Sequence, residues 1–405
     1  MKKRIALTLA GLLAVAGLSS CGGSDDSTLV IWHDKTDAVV EVLQKAIAEK
    51  LPEEKVEFVR RDSMTDQLKL VGNDPSSCPD MYIFAHDKIG LFATLGILED
   101  LDSLIDPSRY EESVPLTLEA MEYEGTNYGL PLYYETTLFL YNRDLVGDKN
   151  PSLPALPATT EELYAYMQEY TDGRRYGFVE QHSTPYYASA WINGYGGEIL
   201  HEDGTPGLSD EAVVESLEYH KKFIDYMPRT SADYATVNTL FLEESADMVI
   251  GGPWMIPSAL EAGIDIGVAP MPTLPSGKPL SPYSGVQGIQ ALKIKCQDSD
   301  RKERIKAVME CFLDPAVQGE LALVSGCAPA LEAAYEVEGV KDNAIVKAIQ
   351  EQAATAIPMP SRPEMDIMWS ELGYLLTDVN MNGADVEETS DKYQAEALRL
   401  IEQMQ

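Results

Sequence analysis

The sequence is poor in basic residues, with 31 Lys and Arg against 66 Asp and Glu and a formal net charge of −35. A chain this acidic repels phosphate backbones, so we predict that it does not bind nucleic acid. Apolar residues make up 45% and charged residues 24% of the 405 residues. This composition excludes global disorder, and the length predicts two or three domains.

Cysteine and histidine are also scarce. Apart from Cys21, the chain contains Cys78, Cys296, Cys311 and Cys327, and its 5 His are dispersed. None of these residues has the spacing of metal ligands, so we predict no structural metal and no cofactor. Four cysteines permit three disulfide connectivities, and the sequence does not choose among them or show that any forms.

The motifs of common catalytic sites are absent. The chain contains no G-x-S-x-G nucleophile elbow and no Walker loop. A pair of carboxylates for glycoside hydrolysis is always available among 66 acids, so its availability carries no information. We predict a protein that is not an enzyme and keep a secreted glycosidase as a distant alternative.

The N-terminus has the parts of an export signal. Three basic residues at positions 2–4 precede an apolar stretch over residues 5–18, which is short for a membrane span. Leu18-Ser19-Ser20-Cys21 follows and resembles a bacterial lipoprotein lipobox. The resemblance implies removal of residues 1–20 and lipidation of Cys21, with residues 21–28 as lipidated cysteine and flexible tether. The alternative is a plain signal peptide with an incidental cysteine. We predict an exported, membrane-anchored protein that faces the periplasm or the cell exterior.

The mature chain has the pattern of an α/β protein. Thr36 or Asp37 is expected to cap the first helix, Thr159 with Glu162 forms a capping box, and Ser209 is expected to cap a long helix. Strands that alternate with helices are typical of a parallel sheet covered by helices. Six apolar runs are predicted to form strands: Leu29–Trp32, Val56–Val59, Met81–Phe84, Leu138–Tyr141, Met248–Ile250 and Ile266–Ala269.

Aromatic and charged residues occur together near the ends of these strands, where open α/β sheets bind ligands. Carbohydrate recognition needs this mixture, because sugar hydroxyls hydrogen-bond to charged groups and pyranose faces stack on aromatic rings. The residues alone predict a polar ligand. The groups are Trp32 with Asp34 and Lys35, Phe84 with His86, Asp87 and Lys88, Tyr133–Glu135, Pro185–Tyr187, Gly252–Trp254 and Met368–Trp369.

Several segments carry a resemblance to a known family. They are Leu29–Trp32, Phe84–Lys88, Tyr128–Glu135, Leu140–Leu145, Gly252–Trp254 and Met359–Trp369. They resemble the family 1 extracellular solute-binding proteins of ABC importers, and the binding segments resemble its maltose/maltodextrin-binding members. The resemblance runs from about Leu29 to the C-terminus.

The resemblance implies a two-domain periplasmic-binding-protein fold of type II, with the ligand cleft between the domains. Domain I would comprise residues 29–133 and 287–338, and domain II residues 134–286 and 339–405. The expected protein is a monomer that captures maltose or maltodextrins by interdomain closure and delivers them to the transmembrane subunits of an ABC permease. The alternative is the same role for another oligosaccharide.

The resemblance also implies ten ligand-binding residues and no catalytic residue. Those expected to hydrogen-bond sugar hydroxyls are Asp34, Lys35, Asp87, Lys88, Glu135 and Tyr186. Those expected to stack on glucosyl units or line the pocket are Phe84, Tyr186, Trp254, Met359 and Trp369.

Some positions depart from the maltose-binding pattern. Phe84 stands where the pattern has Trp, and Lys88 replaces an Arg, so a planar fork becomes a point charge. Ser370 replaces a Tyr and Gly373 an Arg in the outer pocket. The loop around Asp34 is two residues shorter, so His33 is an alternative participant there. Sugar chain length and linkage therefore stay open.

Overall fold

The computed structural model describes residues 27–147, 152–228 and 232–404. Cys21 and the predicted signal peptide lie outside the described residues. The strands are β1 (Leu29–His33), β2 (Val56–Arg60), β3 (Met81–Ala85), β4 (Glu122–Tyr123), β5 (Thr126–Asn127), β6 (Leu130–Thr136), β7 (Leu138–Asn142), β8 (Tyr176–Glu180), β9 (Ala246–Gly251), β10 (Ile266–Ala269), β11 (Tyr283–Ala291), β12 (Ala328–Pro329) and β13 (Ile357–Pro358).

The α-helices of the same residues pack on these strands. They are α1 (Asp37–Lys50), α2 (Met64–Val71), α3 (Ile89–Thr94), α4 (Pro115–Ala120), α5 (Thr160–Tyr170), α6 (Pro185–Tyr195), α7 (Glu211–Ile224), α8 (Tyr234–Leu242), α9 (Ile256–Glu261), α10 (Ser299–Glu310), α11 (Pro315–Ser325), α12 (Ala344–Ala353), α13 (Met365–Leu376) and α14 (Val386–Met404).

The first lobe is built on a seven-stranded sheet in the order β12-β6-β11-β3-β1-β2, with β13 paired to β11. Strand β1 runs parallel to β2 and β3. Strand β11 runs antiparallel to both β3 and β6, and all of its residues are buried. The parallel sheet predicted from the sequence is therefore one part of a mixed sheet.

The second lobe is built on a four-stranded sheet in the order β10-β7-β9-β8. Only Thr137 separates β6 of the first sheet from β7 of the second, so the chain crosses between the lobes there. It crosses back between β10 and β11. Helices α13 and α14 contact α6 and α7, which places them on the second lobe. The predicted domain boundaries at 133/134 and 286/287 fall inside the crossing strands β6 and β11.

All six predicted strands and the capping box are confirmed. Thr159 accepts a hydrogen bond from the Glu162 backbone, and the Glu162 carboxylate accepts one from the Thr159 backbone. The prediction for Ser209 is wrong, because α7 begins one residue later and its N-cap is Asp210. The Asp210 carboxylate makes no cap hydrogen bond but lies 3.0 Å from Nε2 of His201.

Three strands near the ligand segments escape the sequence prediction: β6, β8 and β11. Tyr133-Tyr134-Glu135 precedes the predicted strand β7 and itself lies within β6. Strand β11 reads YSGVQGIQA, in which glycine and glutamine interrupt the apolar run that marks a buried strand. Its pairing on both edges, rather than its own β-propensity, makes it a strand.

The cysteines Cys78, Cys296, Cys311 and Cys327 are all buried and free, so the described residues contain no disulfide. Burial raises the pKa of the Cys78 thiol to about 11 and that of Cys296 to about 12. Thiols with such values stay protonated and react slowly with oxidants.

His86 joins three segments at the carboxyl end of β3. Its Nδ1 accepts a hydrogen bond of 3.0 Å from the backbone N–H of Val286 in β11. Its Nε2 therefore carries the proton and donates to the Met359 carbonyl at 2.9 Å. The ring is fully buried, and burial lowers the pKa of His86 below its ordinary value of 6.5. The neutral tautomer is thus part of the fold.

We expect His86 to make stability depend on pH. Because its folded pKa is lowered, the unfolded chain binds a proton more readily, and stability falls as the pH drops below 6.5. Replacing His86 by Gln removes this loss. The decrease in Tm between about pH 7.5 and about pH 5.5 should be smaller than in wild type by about 1–3 °C.

His201 provides a control of opposite sign. A hydrogen bond with Glu198 raises the pKa of His201, so its contribution is present at low pH and is lost as the pH rises. His201→Gln should therefore destabilise only at the lower pH and enlarge the decrease in Tm. Equal pH dependence of the His86→Gln variant and wild type, followed by circular dichroism, would contradict the role of His86.

Candidate functional site

The predicted site residues come from segments that end at the seam between the two lobes. Asp34 and Lys35 follow β1, and Asp87 and Lys88 lie in a short 3₁₀ turn after β3. Tyr186 lies in the first turn of α6 of the second lobe, after β8. The expectation that these side chains lie at the carboxyl ends of predicted strands is met for β1 and β3, and Tyr186 likewise follows a strand, β8, that the sequence did not predict.

One cluster surrounds the carboxylate of Glu135, in β6. The Glu135 Oε1 accepts a hydrogen bond of 3.1 Å from Nε2 of Gln287, and its Oε2 lies 3.3 Å from the Cys327 thiol. Lys35 Nζ lies 2.6 Å from Asp34 Oδ1 and also donates to the side-chain amide oxygen Oε1 of Gln287. Asp34, Lys35 and Glu135 are thereby linked through Gln287.

Two opposing effects act on the pKa of the Glu135 carboxyl group: burial and its hydrogen-bonding or charged neighbours. Burial raises the pKa of Glu135, while Lys35, Cys327 and Gln287 oppose that rise. Burial and the nearby Glu135 charge raise the pKa of the Cys327 thiol well above its ordinary value. The thiol is therefore a hydrogen-bond donor in this cluster and not a nucleophile.

A second cluster joins the two lobes. Trp369 of α13 donates a hydrogen bond of 3.1 Å from Nε1 to Oδ2 of Asp87, which also lies 3.1 Å from Lys88 Nζ. Asp366 of α13 accepts from Lys88 at 3.0 Å and from Lys69 of α2 at 2.7 Å. Despite burial, these two ammonium groups lower the pKa of Asp366. The lobes are thus in direct ionic contact at this seam.

Aromatic side chains of the second lobe complete the site. Tyr186 and Tyr187 pack edge to face with ring centroids 5.8 Å apart, and the Tyr187 hydroxyl interacts with the Trp254 side chain. The Trp369 and Tyr283 rings lie edge to face at 6.0 Å. The aromatic residues predicted for the site therefore lie next to Tyr187, which the sequence groups with Tyr186, and next to Tyr283, which the prediction did not include.

Tyr186 is the unusual member of this group. Its hydroxyl is buried and has no hydrogen-bond partner among the described residues. Burial raises its pKa well above the ordinary value, and the charges of Glu135 and Asp87 contribute to that rise. A buried hydroxyl without a partner costs about 1–3 kcal/mol, which a polar ligand atom would recover.

The remaining predicted residues line the first lobe's side. Lys35 Nζ lies 5.8 Å from the centre of the Phe84 ring. Met359 is buried next to Gly285, where a Cβ atom would meet the Met359 methyl at 3.5 Å and Glu135 Oε1 at 3.3 Å. His33, the alternative participant, accepts from the Lys35 backbone N–H at 3.2 Å and so shapes the loop.

The sequence analysis missed several residues that the fold brings to the site. A buried glutamine within an otherwise apolar and glycine-rich stretch was the signal available for Gln287. The carboxylate of Asp366, one helical turn from Trp369, was the signal for that residue. The missed residues are Gln287, Cys327, Tyr283 and Asp366. Tyr187 belongs to the aromatic groups named from the sequence but not to the ten expected ligand contacts.

The arrangement suits a neutral, polar ligand. Its carboxylates and ammonium groups are already paired with each other. Aromatic rings from both lobes lie beside them. Within residues 27–147, 152–228 and 232–404, no group of three His, Cys, Asp or Glu is arranged to hold a metal ion. None of the helices in these ranges is long and apolar enough to cross a membrane.

Known proteins resemble this chain in sequence and in fold. Residues 33–319 match the model of the bacterial extracellular solute-binding protein family. The chain is 31% identical to the maltotriose-binding protein of Pyrococcus abyssi over 94% of its own length and 83% of the relative's. It is 28% identical to the galactooligosaccharide-binding protein of Bacillus subtilis, over 96% of this chain and 93% of that protein.

A solved structure agrees with these relatives. A crystal structure of a cyclo/maltodextrin-binding protein in complex with maltotetraose superposes with a TM-score of 0.78 and 25% identity. The match covers 91% of this chain and 97% of that one. This likeness confirms the two-lobed, type II binding-protein fold predicted from the resemblance. With the family model matched over residues 33–319, the chain belongs to the bacterial extracellular solute-binding protein family.

Proposed function

We propose that this protein binds maltose or maltodextrins between its two lobes and delivers them to the transmembrane subunits of an ABC importer. The relatives that bind maltotriose and maltotetraose support this sugar class. The ten residues Asp34, Lys35, Phe84, Asp87, Lys88, Glu135, Tyr186, Trp254, Met359 and Trp369 are the proposed ligand contacts. The proposed domain boundaries, within β6 and β11, make these strands the hinge of closure.

The observation that carries the proposal is the buried, unpartnered Tyr186 hydroxyl close to the charges of Glu135 and Asp87. A sugar hydroxyl both donates and accepts, so a single hydroxyl can hydrogen-bond to Tyr186 and to a carboxylate at the same time. Glu135 lies in β6, a strand of the first lobe's sheet that continues into the second lobe, and Tyr186 lies in α6 of the second lobe. A sugar between them would therefore stabilise the lobes in contact, which is the basis of closure on a ligand.

A second sugar class is supported by a specific relative. The galactooligosaccharide-binding protein of Bacillus subtilis is 28% identical over nearly the whole chain, so the family similarity alone does not separate the two sugars. The retained tryptophans and carboxylates of the maltose-binding pattern favour α-glucosides. A glycosidase is the remaining alternative, and the family and its relatives are named as binding proteins.

Isothermal titration of residues 22–405 distinguishes these candidates. We expect maltose and maltotriose to bind at about micromolar Kd, and cellobiose and a galactooligosaccharide to bind at least about a hundredfold more weakly. Preference for the galactooligosaccharide would transfer the role to the alternative sugar. Chromatography of maltotriose after overnight incubation with the protein should show no shorter sugar. If the molar amount of shorter sugars exceeds that of the protein, the protein turns over its ligand and is an enzyme.

Two tryptophans should carry much of the affinity. Trp254→Ala and Trp369→Ala each remove a stacking platform, so we expect the Kd for maltotriose to rise by about tenfold or more. The wild-type unfolding temperature should be nearly retained, since both rings are partly exposed at the seam.

A conservative variant separates stacking from hydrogen bonding at the second position. Trp369→Phe keeps an aromatic face but loses the Nε1–H that donates to Asp87. Its Kd should lie between those of wild type and Trp369→Ala. Wild-type affinity in both alanine variants, measured by titration calorimetry, would remove these residues from the site.

We also propose that lipid on Cys21 anchors the mature protein to a membrane. The lipobox-like Leu18-Ser19-Ser20-Cys21 and the apolar stretch before it support this. Cys21→Ser should move the protein from the detergent phase to the aqueous phase of a phase-separating detergent extract, and labelled palmitate should no longer be incorporated. Cys78→Ser is the matched control and should behave as wild type. Detergent partitioning of the Cys21→Ser variant would contradict the anchor.

A further inference from the structure

The side chain of Gln287, in β11, contacts both the Lys35 ammonium group and the Glu135 carboxylate. Its amide oxygen accepts from Lys35 Nζ, and its amide nitrogen donates to Glu135 Oε1 at 3.1 Å. Lysine can only donate and an ionised carboxylate can only accept. A neutral amide is therefore the group that bridges this cation and this anion without adding charge.

The backbone of β11 is adapted to this position. Gly285 is paired with Glu135 of β6, and Gln287, two residues further along, points to the same face. Between Gln287 and Gly288 the register with β6 shifts, so that Leu132 has no paired residue in β11. Such bulges re-aim side chains near binding sites. Gly285 leaves the space beside the Glu135 carboxylate open, since a Cβ there would lie 3.3 Å from Oε1.

Gln287 is 7% exposed and Lys35 8% exposed, so both are desolvated in this arrangement. Buried charges and amides need a full set of hydrogen bonds, and a missing one costs more than the bond itself contributes. We propose that Gln287 is a positioning residue that holds Lys35 and Glu135 in the geometry in which Lys35 donates to one sugar unit and Glu135 accepts from it. The inference rests on the proposed sugar binding and assigns this side chain a role within it.

Loss of the Gln287 side chain should shift the acid limb of sugar binding, which is the pH range below neutrality in which the affinity falls. Glu135 is expected to bind sugar hydroxyls when ionised, so binding should weaken as the pH falls through its pKa. The Gln287 amide is one of the groups that lower that pKa. Other groups interact electrostatically with the same carboxylate. They are Asp34, Lys35 and Cys327 in the first lobe, Tyr133 of β6, and Tyr186 and Tyr187 of α6. All of them are retained in a Gln287 variant.

The test compares Gln287→Met, Gln287→Glu and wild type in maltotriose titrations from about pH 4 to pH 8. Methionine fills the space without either hydrogen bond, so the Kd at neutral pH should rise about tenfold. The acid limb should also move to higher pH, by about half a pH unit or more. Glutamate keeps the acceptor for Lys35 but places a second carboxylate beside Glu135, so its acid limb should move further.

Gln290→Met is the matched control. Gln290 is a fully buried glutamine of the same strand, and its side chain lies against Met121. It should lose stability without moving the acid limb. A merely structural role for Gln287 predicts that both methionine variants behave alike.

Two outcomes can be told apart. If wild type binds the sugar and Gln287→Met has the same Kd and the same acid limb, the role assigned to Gln287 is wrong. The proposed function is then unaffected. Absence of binding by wild type overturns the proposed function and, with it, the role of Gln287 in sugar binding. In that case, carboxyl ¹³C NMR, assigned with Glu135→Gln, still reports whether Gln287→Met raises the Glu135 pKa.

Discussion

The pairing of β11 between β3 and β6 is the constraint on which the site depends. All of β11 is buried, and its antiparallel ladders place Gln287 opposite Ala85 on one side and Tyr133 on the other. The same pairing brings the Val286 N–H to His86, which also holds the Met359 carbonyl. A one-residue slip would turn every β11 side chain to the other face. This register therefore fixes both the Glu135 cluster and the hydrogen bond between His86 and the Met359 carbonyl.

The strongly acidic surface and the paired charges of the site have different consequences. The net charge of −35 is a long-range property that disfavours anionic partners and says little about the site. At the seam, by contrast, each acidic side chain has a basic or hydrogen-bonding neighbour: Asp34 has Lys35, Asp87 has Lys88 and Trp369, and Asp366 has Lys69 and Lys88. Desolvated charges are tolerated only in such arrangements. A neutral sugar can replace water around them without disturbing the charge balance.

The ion pairs of Asp366 and the indole hydrogen bond of Trp369 join the two lobes beside the proposed ligand contacts. Both residues belong to α13 of the second lobe, whereas Lys69, Lys88 and Asp87 belong to the first. These partly exposed ion pairs are individually weak. They therefore stabilise contact between the lobes without making it permanent, as the proposed closure on a sugar requires.

By itself, the sequence determined the α/β class, the first strands, the capping box and most of the charged and aromatic residues near the strand ends. These features follow from apolar periodicity and local hydrogen bonding, which a short window contains. Only the tertiary structure decided the course of β11, the free state of the four buried cysteines, and the part taken by Gln287, Cys327 and Asp366. Gln287 and Glu135 are 152 positions apart, and Asp366 and Lys88 are 278 apart. No local pattern carries such contacts, because they arise when non-consecutive strands pair and the lobes meet.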